Sequence, residues 1–165
     1  MLKLPKNVLT HKNVSALESK LNQNLKLLRP DGRIKTSRWP LDSALKKALE
    51  KACLSEDLIQ GLEAISKSLD REQKGLKALK SQPGQTQNQR FSRFILLSND
   101  GSERFYHDAE SILVKHSDRC LGCVIETSAD NFGESFTKKE NPAKALMIND
   151  RKLLEAFLND IADSL

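Results

Sequence analysis

Apolar positions along the chain follow two different periods. Up to about residue 80 they step by three or four: Val14, Leu17, Leu21, Leu25 and Leu28 would share one helical face. This spacing predicts a helix over residues 13–28, with Ser15 and Glu18 at capping-box separation and Pro30-Asp31-Gly32 as its closing turn. Asp42 is positioned to cap a second helix whose apolar face is Leu45, Ala48, Leu49, Ala52 and Cys53. Ser55-Glu56-Asp57 reads as another helix start, because acidic residues in a first turn face the positive end of the helix dipole. Leu58, Leu62, Ile65 and Leu69 would carry its buried face. Residues 81–89, SQPGQTQNQ, have no apolar side chain and contain Pro-Gly, which marks a linker.

Beyond residue 90 the period changes. Short apolar runs at 94–97, 120–125 and 143–148 alternate with helical patterns over 102–116, over 130–136, and from Arg151 onward. Alternating strands and helices with short joints predict an α/β fold. The expected architecture is a small three- to four-stranded, mainly parallel sheet with flanking helices (βαβαβα), plus an N-terminal helical segment. The matching division is a basic helical region (1–80), a linker (81–89) and a domain (90–165), to which 61–70 could add a first helix. ILLSND and ALMIND both close an apolar run in Asn-Asp before a helix, a repeat explained by the N-cap preference of these residues.

Composition narrows the function classes. No apolar stretch approaches the length of a membrane span, and the N-terminus lacks the apolar block of a signal peptide. Three cysteines, an odd number, fit a reduced, cytoplasmic protein rather than a disulfide framework. The net charge of +5 is uneven: residues 1–90 carry 18 Lys and Arg against 9 Asp and Glu, whereas 91–165 carry 9 against 13. A basic first half points to an acidic partner, RNA foremost.

Chemical motifs are sparse. Cys120-Leu-Gly-Cys123 is a CxxC, but inside a strand its thiols would point to opposite faces, and a zinc site would need two more ligands, for which His116 and Cys53 are nominal candidates. His11, His107 and His116 form no nucleophile pairing by spacing, and neither a GxGxxG nor a P-loop pattern occurs. The expectation is therefore a protein that is not an enzyme and holds no cofactor or metal. Asn99-Asp100-Gly101-Ser102 reads as a helix start whose acidic residues would repel an anion. A competing small-molecule or nucleotide site at the strand ends would be lined by Asn99, Asp100, Thr127, Asn149 and Asp150. The basic segment Arg29, Arg33, Lys35 and Arg38 with Trp39, followed by Lys46, Lys47 and Lys51, carries the strongest signal. Cations neutralise phosphates, and an aromatic ring can stack on an unpaired base.

From Gly61 onward the chain resembles the kink-turn RNA-binding ribosomal-protein superfamily (the L-seven-Ae and L-thirty-e group, small bacterial type). GLEAISKSL supplies Gly61 opening a helix with Lys67 six positions on. LLSNDGSER supplies the strand ending in Asn-Asp before a Ser-containing helix start. TSADNFGESFTKKE resembles the third element, with Phe132-Gly133 in place of Leu-Gly and Lys138 or Lys139 as its basic residue. AKALMINDRKLLEAFL resembles the last strand and helix. The resemblance spans about 49–165 and implies RNA contacts at the start of the Gly61 helix and at the loop near 125–128. Residues and resemblance together lead to the expectation of an RNA-binding protein using Arg29, Arg33, Lys35, Arg38, Trp39, Lys46, Lys47, Lys51, Gly61 and Lys67. The alternative is a protein-interaction module or homodimeric adaptor, for which the opposed charges of the two halves would favour head-to-tail association.

Overall fold

The computed structural model describes residues 3–80, 90–127 and 143–165. The expected linker 81–89 and the expected helix 130–136, with Phe132, Gly133, Lys138 and Lys139, lie outside the described residues. After a 3-10 turn at Lys6–Val8 come α1 (Val14–Asn22), β1 (Lys26–Leu27), β2 (Lys35–Pro40), α2 (Ser43–Cys53), β3 (Leu58–Gln60) and α3 (Leu62–Lys80). Then follow β4 (Arg93–Ser98), α4 (Glu103–Lys115), β5 (Cys120–Glu126), β6 (Ala145–Ile148) and α5 (Arg151–Asp163).

Among the described residues the architecture is α/β, with helices on both faces of one mixed, six-stranded sheet ordered β1-β2-β5-β4-β6-β3. This corrects the expected count and direction. β2, β5 and β4 run parallel, whereas β1 is antiparallel to β2, and β6 is antiparallel to both β4 and β3. It also corrects the expected division: the first 60 residues, read as a helical region, supply three strands of the same sheet as β4, β5 and β6.

Local chemistry accounts for the changed elements. The apolar stepping from Val14 to Leu28 outlasts the helix, which ends at Asn22; Asn24 takes φ 53°, a left-handed conformation that asparagine tolerates better than most residues. Leu25 is then exposed, while Leu28 is buried on the other face of the sheet. The Ser15–Glu18 box does not form, since the N-cap is Asn13, whose amide donates instead to the Ala162 carbonyl. The expected helix start at Ser55 is overturned by β3, and Gly61, at φ 89°, turns the chain into α3. Asp42 and Asp150 cap their helices as the sequence suggests, accepting from the amides of Leu45 and Leu153, whereas before α4 the cap is Ser102, accepting from the Phe105 amide, and not Asn99 or Asp100.

Alternation along the central strands divides the core in two. Trp39, Phe94, Leu96, Cys123, Ile125, Leu146 and Ile148 face the layer of α1, α2 and α5. There Phe94 stacks with Trp39 (5.6 Å between centroids), Phe91 (6.0 Å) and Phe157 (6.1 Å). Ile95, Leu97, Cys120, Val124, Ala145 and Met147 face α3 and α4. Burial on both faces is why these strands read as unbroken apolar runs.

Candidate nucleic-acid interface

β1 and β2 form a hairpin at one edge of the sheet, pairing Lys26 with Thr36 and Leu27 with Lys35. Residues 20–40 hold six cations (Lys20, Lys26, Arg29, Arg33, Lys35, Arg38) against one acid, Asp31. Among the described residues their partners are mostly not carboxylates. Arg38 donates to the Leu27 carbonyl at 3.4 Å, and Lys20 lies 5.1 Å over the Trp39 ring. Lys26, Arg33 and Lys35 are exposed.

One carboxylate shapes this ribbon. Glu110 of α4, 6% exposed, accepts from the backbone amides of Arg33 (3.1 Å) and Ile34 (3.4 Å) through Oε2. Its Oε1 is 3.8 Å from the Arg29 guanidinium. Gly32 sits so close that an added Cβ would collide with the Glu110 carboxylate and the Arg29 side chain. The latch binds the hairpin loop to α4 and takes Arg29 partly out of the free positive charge.

The remaining expected residues fall elsewhere. Trp39 is 1% exposed, and its Nε1 donates to the Lys20 carbonyl at 3.2 Å, so the ring anchors β2 in the core and offers no face to a base. That corrects its expected stacking role. Lys46, Lys47 and Lys51 lie on α2, in the helical layer on the opposite face of the sheet from α4; Lys46 and Lys47 are exposed, and Lys51 pairs with Asp160 at 3.3 Å. Gly61 follows β3 at the far edge of the sheet, and Lys67 pairs with Glu63 at 3.1 Å. The fold thus gathers Arg29, Arg33, Lys35 and Arg38 into one place and separates them from the other expected contacts. It adds Lys20 and Lys26, which the continuous helical spacing of residues 13–28 hides in the sequence.

The strand ends give a second correction. Asn99, Asp100 and Thr127 do come together, Asn99 donating to the Thr127 carbonyl at 3.4 Å. Asn149 and Asp150 do not join them, because β6 runs antiparallel to β4 and ends at the opposite side of the sheet. The Asn99–Ser102 turn is occupied by its own chain. The Tyr106 hydroxyl donates to the Ser98 carbonyl at 2.7 Å and accepts from the Gly101 amide at 3.1 Å, and Lys144 donates to the Asp100 carbonyl at 3.2 Å. Burial pushes the Tyr106 phenol above its ordinary pKa.

The thiols are unsuited to redox work. Cys120 and Cys123 face opposite cores, as the strand spacing requires, and so cannot bind one ion together. Burial pushes both up to about 12, and Cys53 to about 11. A cavity of about 480 Å³ opens beside the start of β4, floored by Leu4, Leu21, Phe91 and Leu121. Arg90 at its rim is engaged by the Leu4 carbonyl at 2.7 Å. Among the described residues no helix is long and apolar enough to cross a membrane.

No family model matches the chain, and no curated protein matches it. Among solved structures it is similar to a protein of unknown function from Bacillus halodurans C, at 14% identity and a TM-score of 0.46, over 72% of this chain and 97% of that one. A likeness at that level carries no argument about function.

Proposed function

We propose that this chain is a non-enzymatic, cytoplasmic RNA-binding protein whose primary contact is the β1–β2 ribbon. The observation that carries the reading is the concentration of six cations on residues 20–40, in the β1–β2 ribbon and the adjoining end of α1; among the described residues, Arg29 is the one of them held near a buried carboxylate. Lys26, Arg33, Lys35 and Arg38 are placed to neutralise phosphates, the contribution that dominates nucleic-acid affinity. The resemblance to the kink-turn superfamily is what favours RNA over DNA. Its implied loop, at the end of β5, lies beside the end of β2, where Pro40 pairs with Glu126. Its other implied contact, the Gly61 helix start, stands three strand positions away at the same end of the sheet, about 14 Å by ordinary strand spacing. Lys26, Arg33 and Lys35 border the start of β2, about 16 Å along the strand from Pro40, so the ribbon and the two implied contacts are distinct surfaces.

The test compares two neutralised surfaces against a structured RNA. Lys26→Gln/Arg33→Gln/Lys35→Gln is expected to weaken binding by roughly 30-fold or more, while Lys46→Gln/Lys47→Gln, on the other helical layer, changes it by less than about threefold. Equal losses from both sets would reject the ribbon as the site. Absence of any shift at micromolar protein would reject RNA binding.

A further inference from the structure

The sheet ends in two edge strands of opposite character. Among the described residues nothing pairs beyond β1 on one side or beyond β3 on the other. On β1 the Leu28 amide donates to the Ile34 carbonyl, so Leu28 and Lys26 bond inward and the Leu27 amide points outward. The Leu27 carbonyl already accepts from Arg38. On β3 the Asp57 carbonyl and the Gly61 amide bond to β6, which leaves the peptide groups of Leu58 and Gln60 facing outward. Exposed apolar side chains flank both edges: Leu25 (44%) and Leu27 (39%) at β1, and Leu54 (82%) just before β3.

The charges differ in sign. Lys26, Arg33 and Lys35 border β1, whereas Glu56, Asp57 and Glu63 border β3, Glu63 sharing its charge with Lys67. Direction also fits. β3 is parallel to β4, β5 and β2 and therefore antiparallel to β1. A second copy in the same orientation would set its β3 antiparallel against β1 of the first, keeping each helical layer on its own side of the extended sheet. The two symmetric alternatives, β1 on β1 and β3 on β3, bring like charges together.

We infer that the β1 edge of one molecule docks the β3 edge of a second copy. The contact is head-to-tail, so it does not close at a dimer but propagates. The inference stands apart from the RNA reading, because it requires no nucleic acid.

The test uses nuclease-treated full-length protein and sedimentation velocity from micromolar to several hundred micromolar concentration. At about 30 mM salt, where screening reaches roughly 18 Å, the average mass is expected to rise with concentration beyond a dimer. At about 500 mM, where it reaches roughly 4 Å, the mass should return to the monomer's 18.6 kDa. Lys26→Glu/Lys35→Glu makes both edges acidic, and Glu56→Lys/Asp57→Lys makes both basic; each variant alone is expected to stay monomeric. Mixed one to one, they should associate again. A wild type that stays monomeric at low salt, a mass that stops at a dimer, or a mixture that fails to associate would each overturn the proposal. The wild-type salt series decides the matter without any variant.

Discussion

Replacing Glu110 tests whether the hairpin loop is held by the latch. Glu110→Ala removes the acceptor for two backbone amides, at 3.1 Å and 3.4 Å, and the counter-charge of Arg29. The 3.1 Å bond is a full charge-assisted one, worth about 1.5–3 kcal/mol when its partner is removed; the longer bond and the 3.8 Å ion pair add little. The expected loss is about 3 kcal/mol for alanine. Glu110→Gln keeps a carbonyl oxygen for the Arg33 amide and loses only the charge, so about 1 kcal/mol is expected. With a urea slope of about 2 kcal/mol per molar, the midpoints should fall by about 1.5 M and about 0.5 M. RNA affinity should fall in the same order, since the loop carries Arg29 and Arg33. An alanine midpoint within about 0.3 M of wild type, with the slope unchanged, would refute the latch.

Four further outcomes can be checked with simple measurements. Trp39, the chain's single tryptophan, should emit as a buried indole and be unaffected by saturating RNA; strong quenching would contradict its place in the core. His116 is buried, and desolvation with the nearby Arg119 holds its pKa below the ordinary 6.5, despite the opposing pull of Asp70. The unfolded chain therefore binds the proton first, and stability should fall as pH drops below about 6.5, a slope that His116→Gln should flatten in urea midpoints at pH 7.5 and 5.5. Gly61→Ala, at φ 89° in open space, should cost about 1–2 kcal/mol from the backbone alone, whereas Gly75→Ala, inside the exposed part of α3, should stabilise by about 0.5–1 kcal/mol. Thermal midpoints shifting the same way in both would contradict the backbone account. Cys120 and Cys123 should resist a thiol reagent at pH 8 until denaturant is added.

The strands buried on both faces were legible as apolar runs, and Asp42 and Asp150 were legible as caps, whereas before α4 the Asn-Asp pair masked Ser102, which caps that helix. Direction was not: nothing in Ala-Leu-Met-Ile tells whether β6 runs with β4 or against it, and the antiparallel choice divided the expected strand-end site. The first half was misread for a related reason. β2 has one large apolar residue in six, because its neighbours Thr36 and Ser37 are buried polar groups, and β1 and β3 are too short to show a period of two. Leu25, Leu28 and Leu58 happen to keep helical spacing, and a left-handed Asn24 and a left-handed Gly61 break it. The basic segment was legible as charge, but its shape depends on Glu110, 77 residues away from Arg33 along the chain. Trp39 beside four cations reads equally as a stacking ring or a core anchor, and only burial separates the two.

The most direct test of RNA binding by the ribbon is the salt dependence of affinity for a structured RNA, measured with nucleic-acid-free protein. If Lys26, Arg33, Lys35 and Arg38 each neutralise one phosphate, log affinity should fall against log salt with a slope of about −3, and Lys26→Gln/Arg33→Gln/Lys35→Gln should reduce it to about −1. A wild-type slope near zero, or one the triple substitution leaves unchanged, would contradict it.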